Sequence, residues 1–199
     1  MPISIAITGA SGLSYALRLL EYLVFSKKQV YITCSPAAYI VADMELQQKW
    51  LGNPSKLAEQ FNKQFNAEPD QIRVYGYSDW SAPMASGTAK IDAMVVCPCT
   101  SGCIAAIANG NSDNLIERGA DVMIKENRPL ILVHRETPLS AIHLENLLKL
   151  ARLGVCILPA NPGFYHQPTQ ISDMIDFVVA RILDQLKIDH DLLPAWGQS

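Results

Sequence analysis

Short apolar runs alternate with helical patterns along most of the chain, and this alternation restricts the fold more than any other feature. The first run, residues 3–8, is β-branched and stops at Gly9, and apolar residues then recur at helical spacing over residues 13–25. The same strand, turn and helix unit occurs again several times. The pattern predicts a single-domain α/β fold in which right-handed crossovers build a doubly wound parallel sheet.

Residues that favour element ends lie between the later strands and helices. Pro98 is expected to end the central strand, and the Ser112-Asp113 pair to cap one helix. Thr137 is expected to cap another, with Pro138 in its first turn. Residues 68–90 mix Gly, Ser, Asp and Pro around one short strand and predict a long surface loop. The further strands are placed at residues 30–33, 72–75, 93–97, 130–134 and 155–158.

The chain length and the net charge limit the classes of protein to which this chain can belong. With 199 residues the chain suits one domain, over residues 1–199, in which residues 188–199 are expected to form a peripheral tail. A formal net charge of -3 provides no basic patch for nucleic acid, so a small molecule is the expected partner. No apolar run reaches the roughly 18 to 20 residues of a membrane span, and the N-terminus lacks the basic region of a secretory signal. We therefore expect a cytoplasmic protein.

The cysteines predict neither disulfides nor a metal site. There are five of them, an odd number, and most lie within or beside apolar strands, which favours a reducing compartment. Cys97, Cys99 and Cys103 approach the spacing of zinc ligands, but no second pair and no nearby histidine completes the set. We interpret them as buried thiols and expect no metal.

Polar residues follow several strands at the point where each strand is predicted to end. The carboxyl ends of parallel strands share one edge of the sheet, and ligands bind in the crevice outside it. The turn at residues 9–12 also opens a helix, so its N–H groups are suited to an anion such as phosphate. That turn has neither the dinucleotide fingerprint nor the lysine of a P-loop. The residues after the other strands are Ser35, Thr100, Ser101, Arg135 and Glu136.

These residues also have structural explanations. Residues 9–12 also fit a tight connection between a strand and a helix, and Ser35 and Thr100 also fit helix caps. The Arg135-Glu136 pair would add only about 0 to 1 kcal/mol of stability as an exposed ion pair. A carboxylate among phosphate-binding cations would instead serve as an acid or a base. Convergence at one edge favours the functional interpretation.

The sequence alone does not decide the roles of five other side chains. Lys125 ends a helix, where a cation stabilises the macrodipole, and Arg181 could pair with Asp184. Trp80 could pack on the core or present its ring face to a cation. The remaining two are Tyr165, which could be an ordinary loop aromatic, and Glu45, which could be a buried or interface carboxylate.

Taken together, the motifs of the chain resemble those of the UbiX family of flavin prenyltransferases. The resemblance extends over nearly the whole sequence. It rests on residues 7–12, 79–87, 97–99, 107–110, 112–116, 135–139, 143–146, 158–160, 164–166 and 177–181.

The resemblance implies a fold, a reaction and partners. Members of the family are flavodoxin-like, Rossmann-type proteins that join a dimethylallyl group from dimethylallyl phosphate to N5 and C6 of reduced FMN. They need no metal, because the donor is a monophosphate. Their product, prenylated FMN, serves UbiD-type decarboxylases, including the one in ubiquinone biosynthesis. They form homo-oligomers, commonly dodecamers, with sites between subunits.

The resemblance also implies roles for individual residues. Glu136 would serve the proton transfers, Glu45 would lie near the reacting flavin, and Trp80 would flank the dimethylallyl cation. Ser11 would join these three as a catalytic residue. Residues implied to surround the prenyl phosphate are Lys125, Glu136, Tyr165 and Arg181. Residues implied to hold FMN are Gly9, Ala10, Ser11, Ser35, Thr100, Ser101, Gly102, Cys103 and Arg135.

One departure from the family pattern concerns residues 100–103, which read Thr-Ser-Gly-Cys where many members have Ser-Met-Lys-Thr. Contacts made by the Lys and Thr side chains at those positions are absent here. Two alternative functions are a non-catalytic FMN carrier and a cysteine-decarboxylase-type flavoprotein. The second uses a Pro-Ala-Met-Asn segment, whereas residues 159–162 read Pro-Ala-Asn-Pro. A non-catalytic FMN carrier has no use for a prenyl phosphate site.

Overall fold

The structure is a computed structural model that describes residues 1–193. Within these residues, six parallel strands form one sheet in the order β3-β2-β1-β4-β5-β6. The predicted doubly wound parallel sheet is confirmed. Strands β2 and β3 are added on one side of β1, and strands β4, β5 and β6 are added on the other. The strands are β1 (Ile3–Ile7), β2 (Val30–Cys34), β3 (Ile72–Tyr75), β4 (Ala93–Cys99), β5 (Leu130–His134) and β6 (Cys156–Pro159).

Helices cover both faces of the sheet and divide the core into two clusters. Every residue of β1 and β4 is buried, as expected for central strands covered on both sides. Successive side chains alternate between the clusters, so that Ile5 belongs to one and Ala6 to the other. The first cluster contains α1 (Leu13–Phe25), α2 (Pro36–Leu46), α3 (Pro54–Gln64) and α7 (Ile171–Leu186), and the second contains α4 (Ser101–Ala108), α5 (Leu115–Lys125) and α6 (Ala141–Arg152).

Strand β4 continues past the proline that was expected to end it. Pro98 lies inside the strand, and the pairing with β5 shifts register between Val96 and Cys99. Pro98 has no N–H to donate, but its carbonyl oxygen accepts from the Thr8 N–H at 3.3 Å and from the Thr8 hydroxyl at 2.7 Å. Because the Pro98 carbonyl oxygen still accepts hydrogen bonds from Thr8, the strand extends two residues further than predicted.

Helix α5 begins at a different cap from the predicted Ser112-Asp113 pair. The side-chain oxygen of Asn114 accepts from the N–H groups of Ile116 at 3.0 Å and Glu117 at 3.1 Å. Asn114 thus satisfies two N–H groups that the helix itself leaves unpaired.

Helix α6 begins three residues after the predicted Thr137 cap. Ser140 accepts from the His143 N–H at 3.2 Å, and its own N–H donates to His143 Nδ1 at 3.3 Å. This reciprocal capping box fixes the start of the helix at Ala141. The Thr137 N–H donates instead to the Glu136 carboxylate.

The segment between β3 and β4 is a long loop, as predicted, and it is held against α5. The Arg118 side chain donates to the Ala85 carbonyl at 3.0 Å, and the Leu115 N–H donates to the Tyr77 carbonyl at 2.9 Å. A short 3-10 turn, Pro83–Ala85, lies on the same helix. These bonds fix the course of the loop from the carboxyl end of β3 to the amino end of β4.

Residues 188–193, the first part of the predicted peripheral tail, pack against the domain. Ile188 and Leu192 contact the first core cluster, and the His190 ring lies 3.1 Å from Asp184 of α7. The Tyr22 hydroxyl of α1 donates to Asp191 at 3.4 Å. Residues 194–199 lie outside the described part of the chain.

Three further observations apply to residues 1–193. No helix there has both the length and the apolar character that crossing a bilayer requires. No group of three or more His, Cys, Asp or Glu side chains is arranged to hold a metal ion. All five cysteines are free thiols, and burial raises the pKa of Cys34 to about 12.

Candidate active site

The carboxyl ends of the strands converge at one edge of the sheet, as predicted. Ile7 of β1 pairs with Cys34 of β2, Cys99 of β4 pairs with His134 of β5, and His134 pairs with Pro159 of β6. The predicted residues after β1, β2, β4 and β5 therefore lie along a single crevice.

The turn after β1 fits directly under the first turn of α2. The Ser35 N–H donates to the Ile7 carbonyl at 2.9 Å, and its hydroxyl caps α2 by accepting from the Ala38 N–H at 3.3 Å. A Cβ added at Gly9 would overlap the side chain of Ala37. Glycine is required at position 9 because two backbones meet there.

The anion bound by the turn at residues 9–12 is a carboxylate of the protein itself. Glu45, in the last turn of α2, accepts from the Gly12 N–H at 3.0 Å and from the Leu13 N–H at 3.2 Å. Burial alone would raise the Glu45 pKa, but hydrogen bonds from the Ser11 hydroxyl and these two N–H groups bring it below its ordinary value. Glu45 thus takes the place at the N-terminus of α1 that the sequence suggested for a phosphate.

The start of α4 is fixed from β1. The Thr100 N–H donates to the Thr8 hydroxyl oxygen at 3.0 Å, and Thr100 caps α4 by accepting from the Cys103 N–H at 3.2 Å. A Cβ added at Gly102 would meet nothing within 4 Å. The side of α4 at Gly102 therefore faces open space.

Glu136 is linked to β5 through Ser101. The Ser101 Oγ lies 2.9 Å from Glu136 Oε2 and 3.0 Å from His134 Nε2. The Thr137 N–H donates to Glu136 Oε1 at 3.2 Å. The Ser101 hydrogen bond and then the Thr137 N–H lower the Glu136 pKa, and burial lowers the His134 pKa.

Arg135 presents an unsatisfied donor at the same edge. Its Nε is buried and has no hydrogen-bond partner. Its charge also helps to lower the pKa of both Glu45 and Glu136. A buried guanidinium nitrogen without a partner is rare in folded proteins and is well matched to an anionic or carbonyl acceptor on a ligand.

Lys125 lies away from this crevice. It is the last residue of α5, which ends just before β5 begins, at the amino edge of the sheet. Its ammonium pairs with Glu126, and a Cβ added at Gly87 would lie 2.8 Å from Lys125 Nζ. One chain therefore does not bring Lys125 to Glu136.

Three other predicted residues lie on outer surfaces. Arg181 pairs with Asp184, as its structural explanation predicted, and lines a cavity of about 230 Å³ beside β6. Tyr165 is 82% exposed in the loop before α7. Trp80 is 53% exposed in the loop after β3 and does not pack on the core.

The family is decided by comparison with known proteins. A family model described as Flavoprotein matches residues 1–183. The flavin prenyltransferase UbiX of Pseudomonas aeruginosa is 51% identical over 196 residues, covering 98% of this chain and 94% of the relative. The chain belongs to the UbiX family of flavin prenyltransferases.

Solved structures of UbiX proteins agree with the fold. A crystal structure of AnUbiX in complex with FMN and dimethylallyl pyrophosphate has a TM-score of 0.87 at 36% identity, covering 100% of this chain and 98% of that one. A dodecameric FMN-dependent UbiX-like decarboxylase from Escherichia coli has a TM-score of 0.84 at 34% identity, covering 96% and 97%.

Two residues of the candidate site were not identified from the sequence. Thr8 and His134 were assigned only to strands, although each is a polar residue at the carboxyl end of an otherwise apolar run. Both are buried and both hydrogen bond to the start of α4. A polar last residue in a buried strand is the signal that would have found them.

Proposed function

We propose that this protein is a flavin prenyltransferase, which joins the dimethylallyl group of dimethylallyl phosphate to N5 and C6 of reduced FMN. The observation that carries the proposal is the carboxylate of Glu136, held by Ser101 beside the unpaired donor of Arg135 in the crevice of the sheet. The full-length similarity to curated flavin prenyltransferases supports it.

The residues of the crevice fit FMN. Arg135 offers a buried N–H without a partner, and the first turn of α4 is open beside Gly102. Both suit a phosphate or a ring carbonyl oxygen. We assign FMN binding to this crevice, with contacts from Gly9, Ala10, Ser11, Ser35, Thr100, Ser101, Gly102, Cys103 and Arg135.

Reduced FMN supplies the nucleophilic ring atoms of the reaction, and the protein supplies the proton acceptor. Closing the second bond, at C6, would require a proton to be lost from C6 and a proton to be added to the prenyl double bond. We assign both proton transfers to Glu136, a carboxylate that Ser101 holds at the crevice. We assign to Glu45, which is hydrogen bonded to Ser11 and whose pKa is lowered, a second negative charge that would stabilise the developing allylic cation.

The leaving phosphate needs positive charge, which the crevice of one chain does not supply in full. We assign its binding to Lys125, Tyr165 and Arg181, and the flank of the dimethylallyl group to Trp80. Because the three phosphate residues lie on outer surfaces, neighbouring subunits of a homo-oligomer would contribute them. The dodecameric relative supports an assembly of this kind.

The product defines a functional partner. Prenylated FMN is a cofactor and not an end product, so we propose that a UbiD-type decarboxylase receives it, in ubiquinone biosynthesis or in aromatic acid decarboxylation. We also propose that the protein works in the cytoplasm.

An anaerobic assay tests the activity. Purified protein, dithionite-reduced FMN and dimethylallyl phosphate are combined, and the extracted flavin is analysed by mass spectrometry, with dimethylallyl pyrophosphate as a second donor. We expect a gain of one prenyl unit. Glu136→Gln should slow its appearance by about 10²- to 10⁴-fold, while Glu145→Gln, an exposed carboxylate on α6, should not.

The carrier alternative makes the opposite prediction. A protein that only carries FMN would return it unmodified with either donor, and Glu136→Gln would leave that result unchanged. Unmodified flavin from a protein that demonstrably binds reduced FMN would therefore reject the transferase.

A further inference from the structure

Three side chains from two segments of the chain form a hydrogen-bonded series that ends on the carboxylate of Glu136. His134 closes β5, Ser101 is the first residue of α4, and Glu136 follows β5 by two residues. The Ser101 Oγ is 3.0 Å from His134 Nε2 and 2.9 Å from Glu136 Oε2. His134 is only 5% exposed, so the series runs from the buried strand to the open crevice.

Donor and acceptor counting fixes the direction of both bonds. An ionised carboxylate only accepts, so the single proton of the Ser101 hydroxyl must go to Glu136. The Ser101 oxygen must then accept from the ring, and His134 Nε2 must carry a proton. Neutral His134 is therefore the Nε2–H tautomer, with Nδ1 unprotonated.

We propose that His134 and Ser101 are positioning residues for Glu136: the His134 N–H orients the Ser101 hydroxyl, and that hydroxyl holds the carboxylate ionised and aimed into the crevice. This proposal rests on the proposed role of Glu136 as proton acceptor. His134 does not act as a base through Ser101, because the nitrogen that faces Ser101 already carries a proton.

The surrounding charges act on both ends of the series. Burial favours neutral His134, and Arg135 and His143 disfavour a second positive charge there, whereas Glu136 opposes them. Arg135 and His143 also favour the ionised form of Glu136. The charged or titratable groups that act on the series are Arg135 at the end of β5 and His143 on α6, and Cys99 of β4 pairs with His134 in the sheet.

The first test is the pH profile of kcat at saturating FMN and prenyl donor. Loss of the hydroxyl in Ser101→Ala removes the bond that stabilises the carboxylate, so the acid limb should move to higher pH. The value of kcat near neutral pH should fall roughly tenfold, the size expected for one hydrogen bond to a charged group. His134→Leu should move the limb in the same direction by a smaller amount.

Conservative variants separate this role from a structural one. Ser101→Thr keeps the hydroxyl and His134→Gln keeps an N–H near the position of Nε2, so both should hold the acid limb closer to its original pH than Ser101→Ala and His134→Leu do. The dissociation constant of FMN and the Tm are measured for each variant, so that lost binding or folding is not mistaken for lost positioning. An acid limb that stays in place in Ser101→Ala, with a folded, FMN-bound protein, overturns the proposal.

The second test needs no activity. Solid-state ¹⁵N NMR of the histidine-labelled protein reports the tautomer of each ring, and with four histidines the His134 signals are assigned by their loss in His134→Gln. We expect protonated Nε2 and unprotonated Nδ1 at pH 7. The opposite tautomer, or an imidazolium, overturns the proposal. If no prenylated FMN forms with wild-type protein, the proposed function fails whatever the tautomer; if it forms and the acid limb of Ser101→Ala is unmoved, only the positioning role fails.

Discussion

The crevice residues of the candidate site come together within one chain, whereas its outer residues do not. The crevice residues, Ser11, Glu45, Ser101, Arg135 and Glu136, meet within one chain because parallel strands deliver their carboxyl ends to one edge. The outer residues, Lys125, Tyr165 and Arg181, lie on separate surfaces. Lys125 and Arg181 pair with acidic neighbours on their own helices or next to them.

This difference shows what the fold alone can and cannot assemble. Strand order places Glu136 next to Ser101, but it places Lys125 at the far edge of the sheet. Several large apolar side chains are exposed on α6, among them Ile142, Leu144 and Leu148, and exposed apolar surface of this kind marks a protein contact. One chain builds the proposed flavin side of the site, and assembly would complete the phosphate side.

The largest expected effect comes from mixing two inactive variants. Glu136→Gln and Arg181→Gln should each reduce prenyl transfer at least about 100-fold. If the two residues of a site come from different subunits, co-assembly of the variants in equal amounts should restore roughly a quarter of wild-type activity, because a quarter of the sites combine two intact residues. The measurement is prenylated FMN formed per subunit.

A matched pair provides the control for this experiment. Glu136→Gln mixed with Glu45→Gln should recover nothing, since both residues belong to the crevice of one chain. Recovery in the control, or its absence in the first mixture despite proven co-assembly, would contradict the division between crevice and outer residues.

A smaller but still large effect is expected at Gly9. Gly9→Ala forces the turn after β1 away from α2, because the new methyl group overlaps Ala37. We expect a loss of about 1 to 3 kcal/mol of stability and weaker FMN binding. Thermal melts and FMN titrations measure the two effects. Gly102→Ala, where a Cβ meets nothing within 4 Å, is the matched control for stability, and equal losses in the two variants would refute the close-approach argument.

The smallest expected effect concerns Glu45 and pH. Its pKa is lowered in the folded protein, so its charge stabilises the fold above the unfolded-state pKa, and this contribution is lost as pH falls through the folded-state value. At pH 7, Glu45→Gln should be less stable by about 0.5 kcal/mol, a helix-terminus contribution reduced for solvent screening. The Tm should fall by about 1 to 2 °C at fixed protein concentration.

Acidification should remove that difference between wild type and Glu45→Gln. Glu59→Gln, an exposed carboxylate on α3, serves as the comparison and should show little change at either pH. A Tm gap for Glu45→Gln that widens in acid would mean that the carboxylate is not stabilised by the N–H groups of α1.

The sequence was sufficient for features that depend on neighbouring residues. Apolar runs located the six strands, and strand direction followed from the alternation with helices, so the shared edge was predicted correctly. The cap of α6 is an exception: it was assigned to Thr137 from the Thr-Pro pattern, although the true cap, Ser140, is also local and is completed by the ring of His143 three residues later.

Features that depend on distant partners were not predictable in the same way. Glu45 reaches a turn 33 residues away in the chain, and no local pattern announces that contact. His134 was assigned only as the end of a strand, because its partner, Ser101, lies 33 residues away in the chain, on α4. The resemblance to UbiX proteins named Glu45 as a site residue but did not say what it touches.

The carboxylate at the start of α1 has a consequence for discrimination among nucleotides. Doubly wound sheets commonly receive the pyrophosphate of a dinucleotide at the first helix N-terminus. Here that position already carries a negative charge, so a dinucleotide approaching it would be repelled and would have to displace Glu45 from two N–H groups. The turn after β1 therefore disfavours a phosphate group at this helix N-terminus, and it does so with a side chain that the proposed reaction also uses.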